Sequence, residues 1–138
     1  ILNPDMEMPM QRIDGVEDIG VLQIPSLNLE LPVVSSLSPL SLKIAPCRYE
    51  GSAYKDDLII AAHNYVSFFG NLSKLQVGDP VIFKDVDGNE FSYEVAEMEV
   101  LQAAAVEEMR SGDWDLTLFT CTLSGQSRTT IRCLRMNI

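Results

Sequence analysis

Leu116-Thr117-Leu118-Phe119-Thr120-Cys121 is an apolar, β-forming run that ends in a thiol, seven residues before Arg128. The residues beyond the gap, Arg128-Thr129-Thr130-Ile131-Arg132, form a polar and apolar run that reads as the next strand. If residues 122–127 connect two antiparallel strands, Cys121 and Arg128 face each other across the connection. Working outward, short β-type runs separated by turn residues recur at 21–24, 31–34, 58–62, 81–83, 91–100, 116–120 and 129–134. That spacing predicts a mainly β domain, a barrel or a sandwich. Between the strands, Phe68, Phe69, Leu72 and Leu75 recur at helical spacing and predict a short helix over 67–76. Residues 103–109 carry helix formers before Ser111-Gly112-Asp113 breaks the pattern. Asp85-Val86-Asp87-Gly88-Asn89 reads as a hairpin turn, because Asp-Gly favours positive φ.

Composition bounds the function without naming it. A chain of 138 residues builds one core, not two. Hydrophobic residues at 46% and charged residues at 22% describe an ordered chain. Ten Lys+Arg against 20 Asp+Glu leave a formal charge of −10, which argues against a nucleic-acid-binding surface. No run approaches the roughly 18 to 20 apolar residues of a membrane span, and no signal peptide is evident. Residues 1–18 mix Pro4, Pro9, acids and methionines without a sustained period, and read as a linker or short helical arm before a domain over 19–138. The chain starts at Ile1 rather than methionine and reads as a processed or truncated piece. Three cysteines, Cys47, Cys121 and Cys133, leave at least one unpaired; two separate buried thiols are expected ahead of a Cys47–Cys133 disulfide. No C-x-x-C or His/Cys cluster exists, so neither a metal nor a cofactor is expected. A calcium site would need Glu97, Glu99, Glu107 or Glu108 to converge, and such glutamates more often form a solvated face.

Three residues carry reactive chemistry. A lone cysteine in an apolar strand is usually a small buried hydrophobe, and a lone histidine is usually structural. An arginine after a turn is usually a solvated charge. Here Cys121 ends one apolar run, and the only histidine, His63, ends another, Leu58-Ile59-Ile60-Ala61-Ala62. Reactive groups at the mouths of two buried strands are where a β scaffold presents a site. Arg132 shares the face of Arg128 by period-two alternation but lies roughly 13 Å along the strand, and Arg135 falls on the opposite face.

Thr117 to Cys121 reads TLFTC, and with the arginine opening the following strand it resembles the signature of the sortases, the surface transpeptidases of Gram-positive bacteria. Ala61-Ala62-His63-Asn64 is similar to the histidine context of that family. FGNLSKLQVGD from Phe69 to Asp79 is similar to its F-x-x-L-x-x-L-x-x-G-D stretch, and IGVLQIP from Ile19 to Pro25 to its first strand. The resemblance runs from about Ile19 to the C-terminus. It implies a closed β-barrel of about eight strands with short helices, and an N-terminal membrane anchor upstream of Ile1 that holds the catalytic domain on the extracellular face of the cell membrane.

The resemblance implies further that Cys121 attacks the carbonyl after threonine in an LPxTG-like sorting signal and forms a thioester. His63 would move protons to the leaving amine and from the incoming amine of a peptidoglycan precursor or a pilin lysine. Arg128 would hold the oxyanion or the peptide backbone, and Thr120 would hydrogen-bond the peptide. The short connections flanking the cysteine strand disfavour the helical insertion of class B and favour a class D- or E-like member. Other Cys-His enzymes fit less well: a papain-like peptidase sets its cysteine at a helix N-terminus, and an L,D-transpeptidase keeps its histidine close to the cysteine in sequence. A catalytically silent β-barrel used for surface interactions is the remaining alternative.

Overall fold

In the computed structural model, residues 5–13, 15–63, 65, 68–102, 112–121 and 127–136 are described, Cys121 and Ser127 by backbone alone. In chain order these residues form β1 (Gln11–Ile13), β2 (Val16–Ile24), β3 (Leu29–Val34), helix α1 (Pro39–Ile44), β4 (Cys47–Glu50), β5 (Leu58–His63), β6 (Pro80–Asp85), β7 (Glu90–Gln102), β8 (Leu116–Cys121) and β9 (Ser127–Arg135). The strands lie in the order β1-β2-β3-β4-β5-β8-β9-β7-β6, and β6 returns to pair with β2. The sheet therefore closes: β2 to β9 make an eight-stranded barrel, and β1 extends one edge of β2. Gly20 sits at the closing seam, opposite Asp85. A Cβ there would collide with the Lys84 carbonyl oxygen and lie 2.8 Å from the Phe83 ring, so only glycine lets the two backbones meet.

Side-chain alternation fills the barrel. Leu22, Ile24, Val33, Leu58, Ile60, Val81, Phe83, Phe91, Tyr93, Leu116, Leu118 and Ile131 all point into one buried cluster. β7 shows the one-sided pattern, with Phe91, Tyr93 and Val95 buried and Glu90 and Glu94 exposed. β5 and β8 behave differently, because they pair in parallel in the wall of the barrel. Leu58, Ile60 and Ala62 face the interior, while Ile59 and Ala61 pack outside against Phe119 beneath Tyr49 and Leu101. Burial on both faces explains why these strands read as continuous apolar runs.

All seven predicted strands are present, and the 85–89 turn joins β6 to β7. Gly88 there has φ +87°, and the Asp85 carboxylate accepts the backbone N–H groups of Asp87 and Asn89. Two expectations change. The stretch taken for a linker or helical arm contributes β1, the start of β2 and the buried Met8. The helix predicted over 67–76 is, within the described residues, a turn followed by a 3-10 segment, Leu72–Lys74. The buried side chains Phe69, Leu72 and Leu75 recur every three residues, the eclipsed spacing of a 3-10 helix rather than the 3.6 of an α-helix. The N–H groups of Leu72 and Leu75 accordingly bond three residues back, to the carbonyls of Phe69 at 3.1 Å and of Leu72 at 3.0 Å. The helix formers of 103–109 lie outside the described residues. Among the described residues, no helix is long and apolar enough to cross a membrane.

Candidate active site

His63 ends β5 and Cys121 ends β8, and the two are Cα partners in the parallel ladder. The pairing is a product of register, since the intervening chain passes through β6 and β7 before β8 returns. His63 is buried, and its ring lies 5.0 Å from that of Tyr65, which in turn lies 5.6 Å from Phe68. Phe69 N–H bonds the His63 carbonyl at 3.2 Å, and the Phe69 side chain is buried in the barrel core. That bond ties the backbone at the end of β5 to the core residue Phe69.

β9 runs antiparallel beside β8, with Thr130 opposite Phe119. Arg128 lies two residues nearer the start of β9, beside the end of β8 that carries Cys121, as expected of two strands joined by a short connection. Thr120 is buried, and its Oγ1 accepts the Thr129 N–H at 3.1 Å, which ties the start of β9 to the end of β8. The Thr130 hydroxyl reaches the Arg128 carbonyl at 3.2 Å. The Arg128 guanidinium sits 5.1 Å from the centre of the Phe119 ring, within cation–π range. His63, Cys121 and Arg128 thus occupy three neighbouring strands at one rim of the barrel.

The other arginines are disposed as alternation predicts. Arg132, four residues along the same face, is 2% exposed; its Nε donates to Glu99 at 2.7 Å and its Nη1 to the Thr117 hydroxyl at 3.1 Å. Glu99 is thereby engaged with a cation of the fold. Arg135 is on the opposite face, against the Phe91 ring and 3.1 Å from Asp56. Cys47 and Cys133 are buried thiols in separate clusters, Cys47 beside the Ala45 carbonyl and Cys133 inside the barrel, and no disulfide joins them. Burial pushes the Cys133 thiol up to about 12, which removes it as a nucleophile near neutral pH.

Two residues next to this rim escaped the sequence reading. Tyr49 meets Phe119 edge to face, with centroids 5.2 Å apart and planes at 83°. Phe119 itself read only as a strand hydrophobe, although its ring faces the guanidinium. Nothing local marks Tyr49, because β4 is a four-residue strand with charged Arg48 and Glu50 on either side of it. A cavity of about 330 Å³ bordered by Asp5, Glu7, Arg48, Ser52, Lys55 and Asp57 lies near the start of β5, away from His63 at its end. Among the described residues no group of three or more His, Cys, Asp and Glu could hold a metal ion.

The family model of the sortase domain matches residues 22–135. The chain belongs to the sortase family. It is 28% identical to sortase A of Bacillus anthracis over 125 residues, which is 86% of this chain and 59% of that protein. The sortase fold is equally plain among solved structures. Sortase A from Corynebacterium diphtheriae superposes with a TM-score of 0.78 at 20% identity, covering 89% of this chain and 62% of its own. Sortase C from Clostridium perfringens superposes at 0.73 with 25% identity, covering 88% and 71%. This sortase domain therefore spans about three fifths of the length of the first two relatives.

Proposed function

We propose that this sortase domain is a cysteine transpeptidase that cleaves an LPxTG-like sorting signal and passes the acyl group to an amine. The observation that carries this reading is the His63–Cys121 pairing, with Arg128 alongside on the next strand. The Cys121 thiol gives its proton to His63 and its sulfur attacks the carbonyl after threonine. The tetrahedral oxyanion is held by Arg128, whose planar, permanently charged fork suits that load. The C–N bond then breaks, His63 returns the proton to the leaving amine, and a thioester remains. An incoming amine attacks the thioester, His63 takes its proton, and the thiolate leaves. Thr120 donates its hydroxyl hydrogen to the bound peptide while its oxygen keeps the Thr129 N–H.

The acceptor amine belongs to a peptidoglycan precursor or a pilin lysine, and the domain works on the extracellular face of the cell membrane, tethered by an N-terminal anchor. The short path from Gln102 to Leu116 supports a class D- or E-like member over class B. A strand end rather than a helix N-terminus at Cys121 disfavours a papain-like peptidase. The test is a peptide-library cleavage screen with mass-spectrometric capture of the acyl-enzyme. A thioester on Cys121, resolved by an added amine, is the expected result; a protein that never acylates is the silent barrel instead.

A further inference from the structure

We propose that the open groove beside β4 is a carboxylate subsite for the acceptor, in which Arg48 binds an acid group of the molecule whose amine resolves the thioester. The inference rests on the acyl-transfer reading given above. The groove, about 410 Å³, is bordered by Ser35, Ser36, Leu37, Arg48, Tyr49 and Glu50. It exists because β3 and β4 pair only at Val34 and Cys47, after which the two segments part. Arg48 spans the opening: its Nε donates to the Ser35 carbonyl at 3.0 Å, Nη2 to the Ser35 hydroxyl at 3.3 Å and Nη1 to the Gly51 carbonyl at 3.3 Å. All three acceptors are neutral. A guanidinium carries five N–H groups, so one remains on each terminal nitrogen. Among the described residues no carboxylate forms an ion pair with this half-buried cation; burial lowers its pKa, and the charge of Glu7 only partly opposes that. One charge and two donors suit a two-oxygen carboxylate, whereas a phosphate would meet Glu50 and no second cation at the border of the groove. In register, Arg48 lies opposite Ile60, three residues from His63, and Cys121 is one strand further on. At ~3.3 Å per residue and ~4.8 Å per strand, the groove is about 14 Å from Cys121, the reach of about four extended residues. Tyr49 connects the two places, since it borders the groove and meets Phe119 two residues before Cys121.

The experiment resolves the acyl-enzyme formed from an LPETG peptide with glycine peptides of increasing length, from a single residue to pentaglycine, each as the free acid and as the amide. It reads the acid-to-amide ratio of kcat/KM within each variant, so that losses of folded protein or of donor acylation cancel. For the shortest acceptors the parent should favour the amide, because a formal charge of −10 repels an acid. At tetraglycine the ratio should rise about 3- to 10-fold, the scale of one solvent-screened, charge-assisted contact. Arg48→Gln should flatten the series, and Arg48→Lys, which keeps the charge without the fork, should keep part of the rise. A residue that merely stitches Ser35 to Gly51 would leave the ratio unmoved. If no acyl-enzyme forms, the acyl-transfer reading fails; if acylation proceeds and the parent series is flat, the subsite alone fails. An arm that needs no turnover titrates the protein with tetraglycine and with its amide by NMR. The backbone N–H signals of Ser35, Ser36 and Tyr49 should move with the acid alone, and should stay in place in Arg48→Gln; signals in the parent that ignore both peptides, or follow both alike, overturn the proposal.

Discussion

Arg128 and Arg132 project from the same face of β9, yet one sits at the rim against an aromatic ring and the other is buried in the wall of the barrel. Arg132 bridges three strands: it belongs to β9, meets Glu99 of β7 and reaches Thr117 of β8. Its charge is cancelled and two of its donors are satisfied within the fold, as a nearly fully buried guanidinium requires. Arg128, at the rim, leans on the ring of Phe119 and stays partly exposed beside the end of β8. Residue type and strand face are shared, so the difference lies in neighbours. One end of the β8–β9 ladder is bound into the barrel wall, and the other forms the rim that carries the proposed site.

The largest expected contrast sets one thiol at each end. Cys121→Ala at the rim should abolish acyl-enzyme formation, while Cys133→Ala inside the barrel should leave it largely intact, read as the mass increment after incubation with a sorting peptide. Full transpeptidation by the Cys121 variant would break the division at once. Next in size is the arginine pair itself. Arg128→Lys should reduce kcat by roughly 10²- to 10³-fold, the scale for one oxyanion donor, and Arg132→Lys should change it little. Steady-state kinetics in the reverse order would exchange the two roles.

A smaller effect sharpens the structural side. Glu99→Gln removes the carboxylate from a buried guanidinium, and because Glu99 is itself about one-third exposed the loss should be about 1–3 kcal/mol of stability rather than the full penalty of a buried pair. Urea denaturation should show it, with acylation by the folded fraction unaltered. The smallest concerns the β6–β7 turn, where Tyr54 donates to Asp85. Burial raises the Asp85 carboxyl, but donors from Tyr54, Asn89 and the backbone outweigh it and hold the group below its ordinary value. A depressed carboxyl stabilises the fold above the unfolded pKa, near ~3.9, and that contribution is lost as pH falls through the folded value. Tyr54→Phe should therefore lower stability by about 1 kcal/mol at neutral pH. Thermal melts should show the gap closing below the ordinary aspartate range; a gap that widens on acidification would be wrong in sign.

What could be read in advance follows from how far apart the interacting residues are. β5 and β8 announce themselves because both faces are buried and their apolar runs are unbroken, and each run ends at the residue of interest. Arg132 could be set apart from Arg128 by alternation alone, since period two and a rise of about 3.3 Å per residue suffice. β4 could not be read: it has four residues of mixed polarity and joins β3 through a single parallel pair, Val34 with Cys47. β1 is exposed at all three positions and exists because β2 offers it an edge. Phe68, Phe69, Leu72 and Leu75 together read as a helical stripe, but the buried set Phe69, Leu72 and Leu75 repeats every three residues and only Leu72–Lys74 is helical, in 3-10 form. The contact of Tyr49 with Phe119 was invisible for a related reason, being made between segments remote in sequence.

The parallel ladder between β5 and β8 also bears on when the site comes into being. No hairpin brings His63 to Cys121; the loop that closes between them contains an entire β-hairpin, so its entropy must be met before any contact across the ladder returns it. Pairings of that kind form slowly and late. Until they do, Cys121 lies on a chain without a neighbouring imidazole, and under the proposed mechanism a nascent or partly unfolded molecule would not acylate. On the proposed mechanism, reactivity in this domain would then be a checkpoint on folding, with the thiol and the imidazole brought together by barrel completion itself.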